Sequence, residues 1–213
     1  MLDEPRDGRT RGRQAEAAAN DERILAAALK ILMANPRAPI GAVAAEAGVG
    51  VASLYRRYAN RDDLVRNLAL FAMAAIEEAA RTALTRVEEA PWDAFVSFLV
   101  AAMEAGAGSM SSFAGTFQAG EELNAAGERL GLQIDELLSR TQWLGAVRND
   151  LTGLDMLQLF EMLRAINVGT AERSQRLRRR YIEMLSPALR APAMTALSEP
   201  PPCWSEIVAV WNP

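Results

Sequence analysis

Between Val51 and Arg61 the chain places Ser53, Tyr55, Arg56, Arg57, Tyr58 and Arg61, with no acidic residue among them. A guanidinium binds phosphate oxygens, or the O6 and N7 edge of guanine, through paired N–H donors. Serine and tyrosine hydroxyls donate to phosphate without adding charge. The chemistry this set suits is recognition of an anionic, hydrogen-bonding polymer. It does not suit bond making.

The residues before them say how they are held. Residues 40–64 read IGAVAAEAGVGVASLYRRYANRDDL. A short apolar helix over about Ile40–Ala47 meets the corner Gly48-Val49-Gly50, and a second helix follows over about Val51–Tyr58. Gly48 adopts at low cost the left-handed conformation that ends a helix. Two helices joined by a tight Gly-containing turn describe a helix-turn-helix, which presents its second helix to the DNA major groove. Asn60 is placed to cap a long following helix, with Asp62 and Asp63 in its first turn, where negative charge is favoured. That helix is expected to run to about Glu88.

Composition bounds the alternatives. The chain has 213 residues, a net charge of -4 and half its residues hydrophobic, so it can bury a sizeable core and carries no uniform basic coat. It has no histidine and one cysteine, Cys203. The commonest general base is absent, and a zinc site of thiolate or imidazole type cannot form within one chain. No phosphate-binding glycine loop or serine nucleophile elbow occurs, and no cofactor is expected. The longest apolar run within a helix, Leu68–Ile76, is too short to span a bilayer, and the polar N-terminus is no signal peptide. These readings lead to the expectation of a cytoplasmic protein that is not an enzyme and has no membrane partner.

Helical spacing of apolar residues dominates the rest. Ile24, Leu25, Ala28, Ile31 and Leu32 predict a first helix starting near Asn20 or Asp21 and stopped by Pro36. Residues 1–19, with Arg6, Arg9, Arg11 and Arg13, are expected to form a disordered tail or an arm into a minor groove. Beyond Pro91, helices are expected at about 91–106, 109–118, 121–145, 153–168 and 172–186, with Pro187 ending or kinking the last. The proline-rich segment 190–202 is read as extended chain, and Cys203–Trp211 as a final short helix. The fold class is therefore all-α: an N-terminal three-helix helix-turn-helix domain linked by a long helix to a C-terminal helical bundle. The expected domains are residues 20–66 and 67–213.

Val43-Ala44, Gly48-Val49, Ser53-Leu54-Tyr55, Tyr58, Arg61 and Leu64 together resemble the TetR-family DNA-binding domain, over about residues 20–66. The C-terminal part resembles an actinobacterial-type regulatory domain of the same family. The resemblance implies a DNA-reading edge of Gly50, Ser53, Tyr55, Arg56, Arg57, Tyr58 and Arg61, with Arg61 standing where the family has a phosphate-contacting Lys. Five departures stand out. Pro39 and Gly50 occupy positions where Thr and Ser often meet phosphate. Ala52 and Tyr58 replace the commoner Gly and Phe, and Arg57 replaces a frequent His. Tyr58 reads equally well as core.

The family resemblance also implies a homodimer on a pseudo-palindromic operator of double-stranded DNA, and a small apolar ligand that releases it. Repressor is the leading reading. Activator, or a helical binding module without DNA activity, is the alternative. Phe98, Met103, Met110, Phe113, Phe117, Leu138, Trp143, Met156 and Phe160 are candidate pocket residues, since Met and aromatic side chains suit an adaptable apolar lining. Glu104, Gln118, Glu121 and Gln142 are candidate polar contacts. The broad apolar faces of 153–168 and 172–186 make Leu157, Phe160, Leu163, Tyr181, Met184 and Leu185 candidates for dimerisation. Each of these also reads as ordinary core. Arg173, Arg176, Arg178, Arg179 and Arg180 do not share one helix face and read as surface salt-bridge formers.

Overall fold

The computed structural model describes residues 7–109, 120–193 and 195–211. Among them the elements are α1 (Asp7–Ala34), α2 (Ile40–Ala47), α3 (Val51–Arg57), α4 (Arg61–Leu84), α5 (Pro91–Glu104), α6 (Gly120–Trp143), α7 (Gly153–Arg164), α8 (Ala171–Leu189) and α9 (Trp204–Trp211). No strand occurs among the described residues; Val147 and Arg190 form an isolated antiparallel bridge. The all-α expectation is met. The helix expected over 109–118 lies almost wholly outside the described residues.

The chain divides into two compact units, Met1–Leu68 and Ala69–Pro213. In the first, α1 corrects the expected tail: it is helical from Asp7, not from Asn20. Its run of Ala, Arg, Gln and Glu has high intrinsic helix propensity, so polarity there does not mean disorder. Asp21 is consequently in mid-helix and caps nothing. Ile24, Ala28 and Leu32 of α1, Val43 and Ala44 of α2, Leu54 of α3 and Leu64 and Leu68 of α4 are fully buried apolar residues of this unit's helices. Burying a Leu or Ile side chain contributes about 1.5–3 kcal/mol.

The corner between α2 and α3 is built as its glycine suggests. Gly48 has φ 69° and ψ 31°, and the Val49 amide donates to the Ala44 carbonyl at 3.0 Å, closing the end of α2. Asn60 caps α4: its Oδ1 accepts from the Asp63 amide at 2.9 Å, while Asp63 Oδ2 accepts from the Ala59 amide at 3.0 Å. The regular helix then ends at Leu84, short of Glu88, and residues 85–89 form turns.

In the second unit Pro91 opens α5, where its missing N–H costs nothing. Phe95, Phe98 and Leu99 of α5, Leu137 and Leu138 of α6, Met156 and Phe160 of α7 and Ile182 of α8 share one core. Gly108 (φ 76°) sits so close to α7 that a Cβ there would lie 2.5 Å from the Phe160 carbonyl carbon. Thr152 and Asp155 form a capping box: Thr152 Oγ1 accepts from the Asp155 amide at 3.2 Å and Asp155 Oδ2 accepts from the Thr152 amide at 2.8 Å.

Pro187 does not end α8, which continues to Leu189. Proline cannot donate to the Glu183 carbonyl four residues back, but the Ser186 hydroxyl donates to it at 3.3 Å. Beyond α8 the chain is held at Arg148. Its guanidinium pairs with Asp150 at 2.5 and 2.7 Å and donates to the carbonyls of Ala188 (3.1 Å) and Thr195 (2.9 Å). The Leu197 amide donates to the same Asp150 carboxylate at 3.0 Å. The hydrogen bonds from the Arg148 guanidinium, and then that from the Leu197 amide, hold the Asp150 carboxyl well below the usual carboxylate range.

Candidate nucleic-acid interface

Helix α3 has two faces. Leu54 (0% exposed) and Tyr58 (4%), four residues apart, point into the core of the first unit. Val51 (45%), Ala52, Tyr55 (49%) and Arg56 lie beside them on the helix and are exposed. Spacing of i, i+1, i+4 and i+5 makes this one continuous helical strip. Ser53 is partly buried at its margin, and Gly50 precedes the strip as the N-cap residue, in extended conformation and with no side-chain cap.

Three residues of the expected edge are engaged elsewhere. Tyr58 is core, which resolves its two readings: its alternation with Leu54 turns it inward, and burial pushes its phenol above its ordinary pKa, against the opposing pull of Arg57. Arg57 forms an ion pair with Asp21 of α1. Arg61 donates to the Ala38 carbonyl at 2.7 Å and to the Pro36 carbonyl, fastening α4 to the turn between α1 and α2. That turn contains two prolines, which supply no N–H, so a side-chain donor takes the place of backbone ones. Lys30 Nζ and Glu46 Oε1, at 2.8 Å, add a tie between α1 and α2.

Sequence reading missed the exposure of Val51 and Ala52; Val51 stands three residues before Leu54 and seven before Tyr58, so helical spacing alone would turn it inward, yet it is exposed in the first turn of α3. It also missed Asp21 as the partner of Arg57. No local pattern signals that pair, because the two residues are 36 positions apart.

In the second unit, Phe98, Met103, Leu138, Met156 and Phe160 are all buried in the common core, with the Phe98 and Phe160 rings edge to face at 6.4 Å between centroids. The gap lined by Leu99, Leu159, Phe160, Leu163, Ile182 and Leu185 is too small for a water molecule. Trp143 does not join this core: it is the last residue of α6 and is 82% exposed. Glu104 pairs with Arg179, and Gln142 donates to the carbonyls of Arg148 (3.0 Å) and Leu151 (2.8 Å), closing the α6–α7 loop. Glu121 is exposed in the first turn of α6. Met110, Phe113, Phe117 and Gln118 lie outside the described residues.

The dimerisation candidates separate by burial. Phe160 and Leu163 are both 3% exposed within their own unit and have no surface left for a partner, which corrects their assignment. Leu157, Tyr181 and Leu185 are half-buried, and Met184 is 60% exposed. Met162 (66%) and Val168 (56%), not foreseen, are also bare. In the arginine cluster, Arg178 donates to the Ile166 carbonyl at 3.0 Å and the Arg164 carbonyl at 3.4 Å, satisfying the end of α7. Burial, and then the charge of Arg164, lower its pKa. Arg173, Arg176 and Arg180 are exposed. Arg9, Arg11 and Arg13 belong to α1; Arg6 lies outside the described residues.

No protein-family model matches the chain, and no curated protein matches it at a significant level. Solved structures do. A TetR transcriptional regulator from Streptomyces coelicolor is 20% identical, with a TM-score of 0.58 over 81% of this chain and 99% of its own. A TetR transcription regulatory protein from Mycobacterium vanbaalenii is 23% identical, with a TM-score of 0.53 over 84% and 99%. The TetR-like regulator LfrR from Mycobacterium smegmatis, solved with proflavine, is 23% identical, with a TM-score of 0.56 over 84% and 98%. At these identities the likeness speaks to architecture, and on it, together with the α2–α3 corner, the chain has the fold of the TetR-family transcriptional regulators.

Proposed function

We propose that this protein is a DNA-binding transcriptional regulator that works as a homodimer, represses, and is released by a small apolar ligand. The observation that carries the reading is α3, a short helix set behind a glycine corner with Tyr55 and Arg56 on an exposed outer strip. Such a helix fits the major groove, which admits an α-helix and displays a distinct donor and acceptor pattern for each base pair. Two protomers would present two α3 helices to half-sites about one turn, roughly 34–36 Å, apart. Ser53 and Gly50 flank the strip and are assigned to the backbone side of the contact. Arg57 acts by holding α3 on α1, and Arg61 by holding the α1–α2 turn.

The ligand and dimer assignments belong to the second unit. LfrR, which shares the fold, is solved with proflavine. Here the pocket is assigned to the Phe98, Met103, Met156 and Phe160 neighbourhood with Met110, Phe113 and Phe117. The closed packing of the four described residues suits a ligand-free state that a ligand opens by shifting the population. The dimer contact is assigned to Leu157, Tyr181, Met184 and Leu185. No described helix is long and apolar enough to cross a membrane, which agrees with a partner in solution.

A mobility-shift assay with the DNA flanking the protein's own gene tests the reading. Retardation at low salt, weakened by Arg56→Ala, is expected. Absence of retardation with every such fragment overturns it.

A further inference from the structure

Resting on that DNA-binding reading, the structure also bears on what the helix recognises. Of the three arginines between Val51 and Arg61, Arg57 is paired with Asp21 and Arg61 is bonded to the carbonyls of Pro36 and Ala38. Arg56 is the arginine of α3 that stands on its exposed strip. The other members of that strip are Val51, 45% exposed, Ala52 and Tyr55, 49% exposed. Val51 and Ala52 form the first turn of α3, and the N-terminal residues of a recognition helix are the ones that meet base edges. Neither has a hydrogen-bonding side chain. An exposed valine at a base edge has one good partner in the major groove, the C5 methyl of thymine.

We propose that Val51, supported by Ala52, reads thymine methyl groups in each operator half-site, and that Arg56 supplies the charged contact beside them. Sequence discrimination at the Val51 position is then apolar: it selects a methyl and excludes a cytosine, whose edge offers an N4 donor that valine leaves unpaired. The Asp21–Arg57 pair serves this readout by keeping a second guanidinium from competing for the same bases. Arg57 is thus a positioning residue.

The test uses the full-length protein and the duplex it retards from the flank of its own gene, in fluorescence anisotropy at one fixed salt concentration. Deoxyuridine replaces thymine one position at a time, which removes only the methyl. Native protein is expected to lose about fourfold in affinity at one or two positions per half-site, the worth of one buried methyl. Val51→Ala, at an exposed helical position where alanine is well tolerated, is expected to bind the thymine duplex more weakly and to lose that discrimination. Circular dichroism and an unchanged Tm confirm that the variant is folded. Native protein that binds every deoxyuridine duplex as tightly as the thymine duplex overturns the proposal while leaving DNA binding intact. A methyl effect that survives unchanged in Val51→Ala also overturns it, since the methyl then acts through duplex shape. Failure to bind the thymine duplex at all overturns the DNA-binding reading itself.

Discussion

Arg61 donates to two carbonyls in the proline-bearing turn between α1 and α2, and the contact is part-buried. Arg61→Ala is therefore expected to lower stability by about 1 kcal/mol, since it leaves part-buried carbonyl acceptors without these donors. Urea unfolding checks this. Lysine at the position should recover less than half of the loss, because one ammonium cannot present a planar pair of donors. Asp150 gives a pH prediction. Its folded-state pKa lies below the ordinary value of 3.8, so its contribution is present above that ordinary value and is lost as pH falls toward the folded one. Asp150→Asn should lower the Tm at neutral pH and make the acid side of a Tm-against-pH profile shallower. A variant profile parallel to the native one over the acid range would rule out the clamp. The placement of Tyr55 and Arg56 at the edge of the helix-turn-helix was legible from sequence, and both are exposed. The roles of Arg57, Arg61 and Arg148 were not legible, because each is set by a partner far away in the chain.

Elements depend on their ends. The capping box at Thr152 and Asp155 closes the start of α7, and Thr152→Ala should cost about 1 kcal/mol of stability. Thermal unfolding of the two proteins decides it. The existence and order of the helices were legible because apolar residues recur at helical spacing and because Gly48, Asn60 and Pro91 punctuate the chain with known conformational preferences. Three boundaries were not. The helix α1 reaches back to Asp7 on propensity alone, with no apolar stripe to announce it. Regular α4 stops at Leu84 with no proline or glycine to mark the place. The helix α8 runs through Pro187 because Ser186 supplies the missing donor, a compensation invisible to a rule about proline.

The whole molecule carries a net charge of -4, yet its proposed partner is a polyanion. Binding must then rest on local contacts, and the logarithm of affinity should fall linearly with the logarithm of salt, by about 0.9 per phosphate neutralised. Anisotropy titrations at several salt concentrations give the slope, and Arg56→Ala should change either the slope or the base preference. Replacing Met184 by arginine should turn a dimer into a monomer in sedimentation velocity, and weaken operator binding, without lowering the Tm, because the side chain is already exposed. A Met184→Arg protein that sediments as the native one would remove the α8 face from the dimer.

Periodicity and glycine placement by themselves determined that this chain is all-α, that a helix-turn-helix lies at residues 40–64, and that Tyr55 and Arg56 are at its edge. These are local properties, encoded within one or two helical turns. Tertiary structure alone decided that Tyr58 is core, that Arg57 and Arg61 are bound within the protein, and that Phe160 and Leu163 belong to the protomer's interior. It also left Val51 bare on the outer strip of α3. Whether a side chain faces solvent, a neighbour or a partner depends on what packs against its helix from elsewhere in the chain, and spacing along the helix does not contain that information.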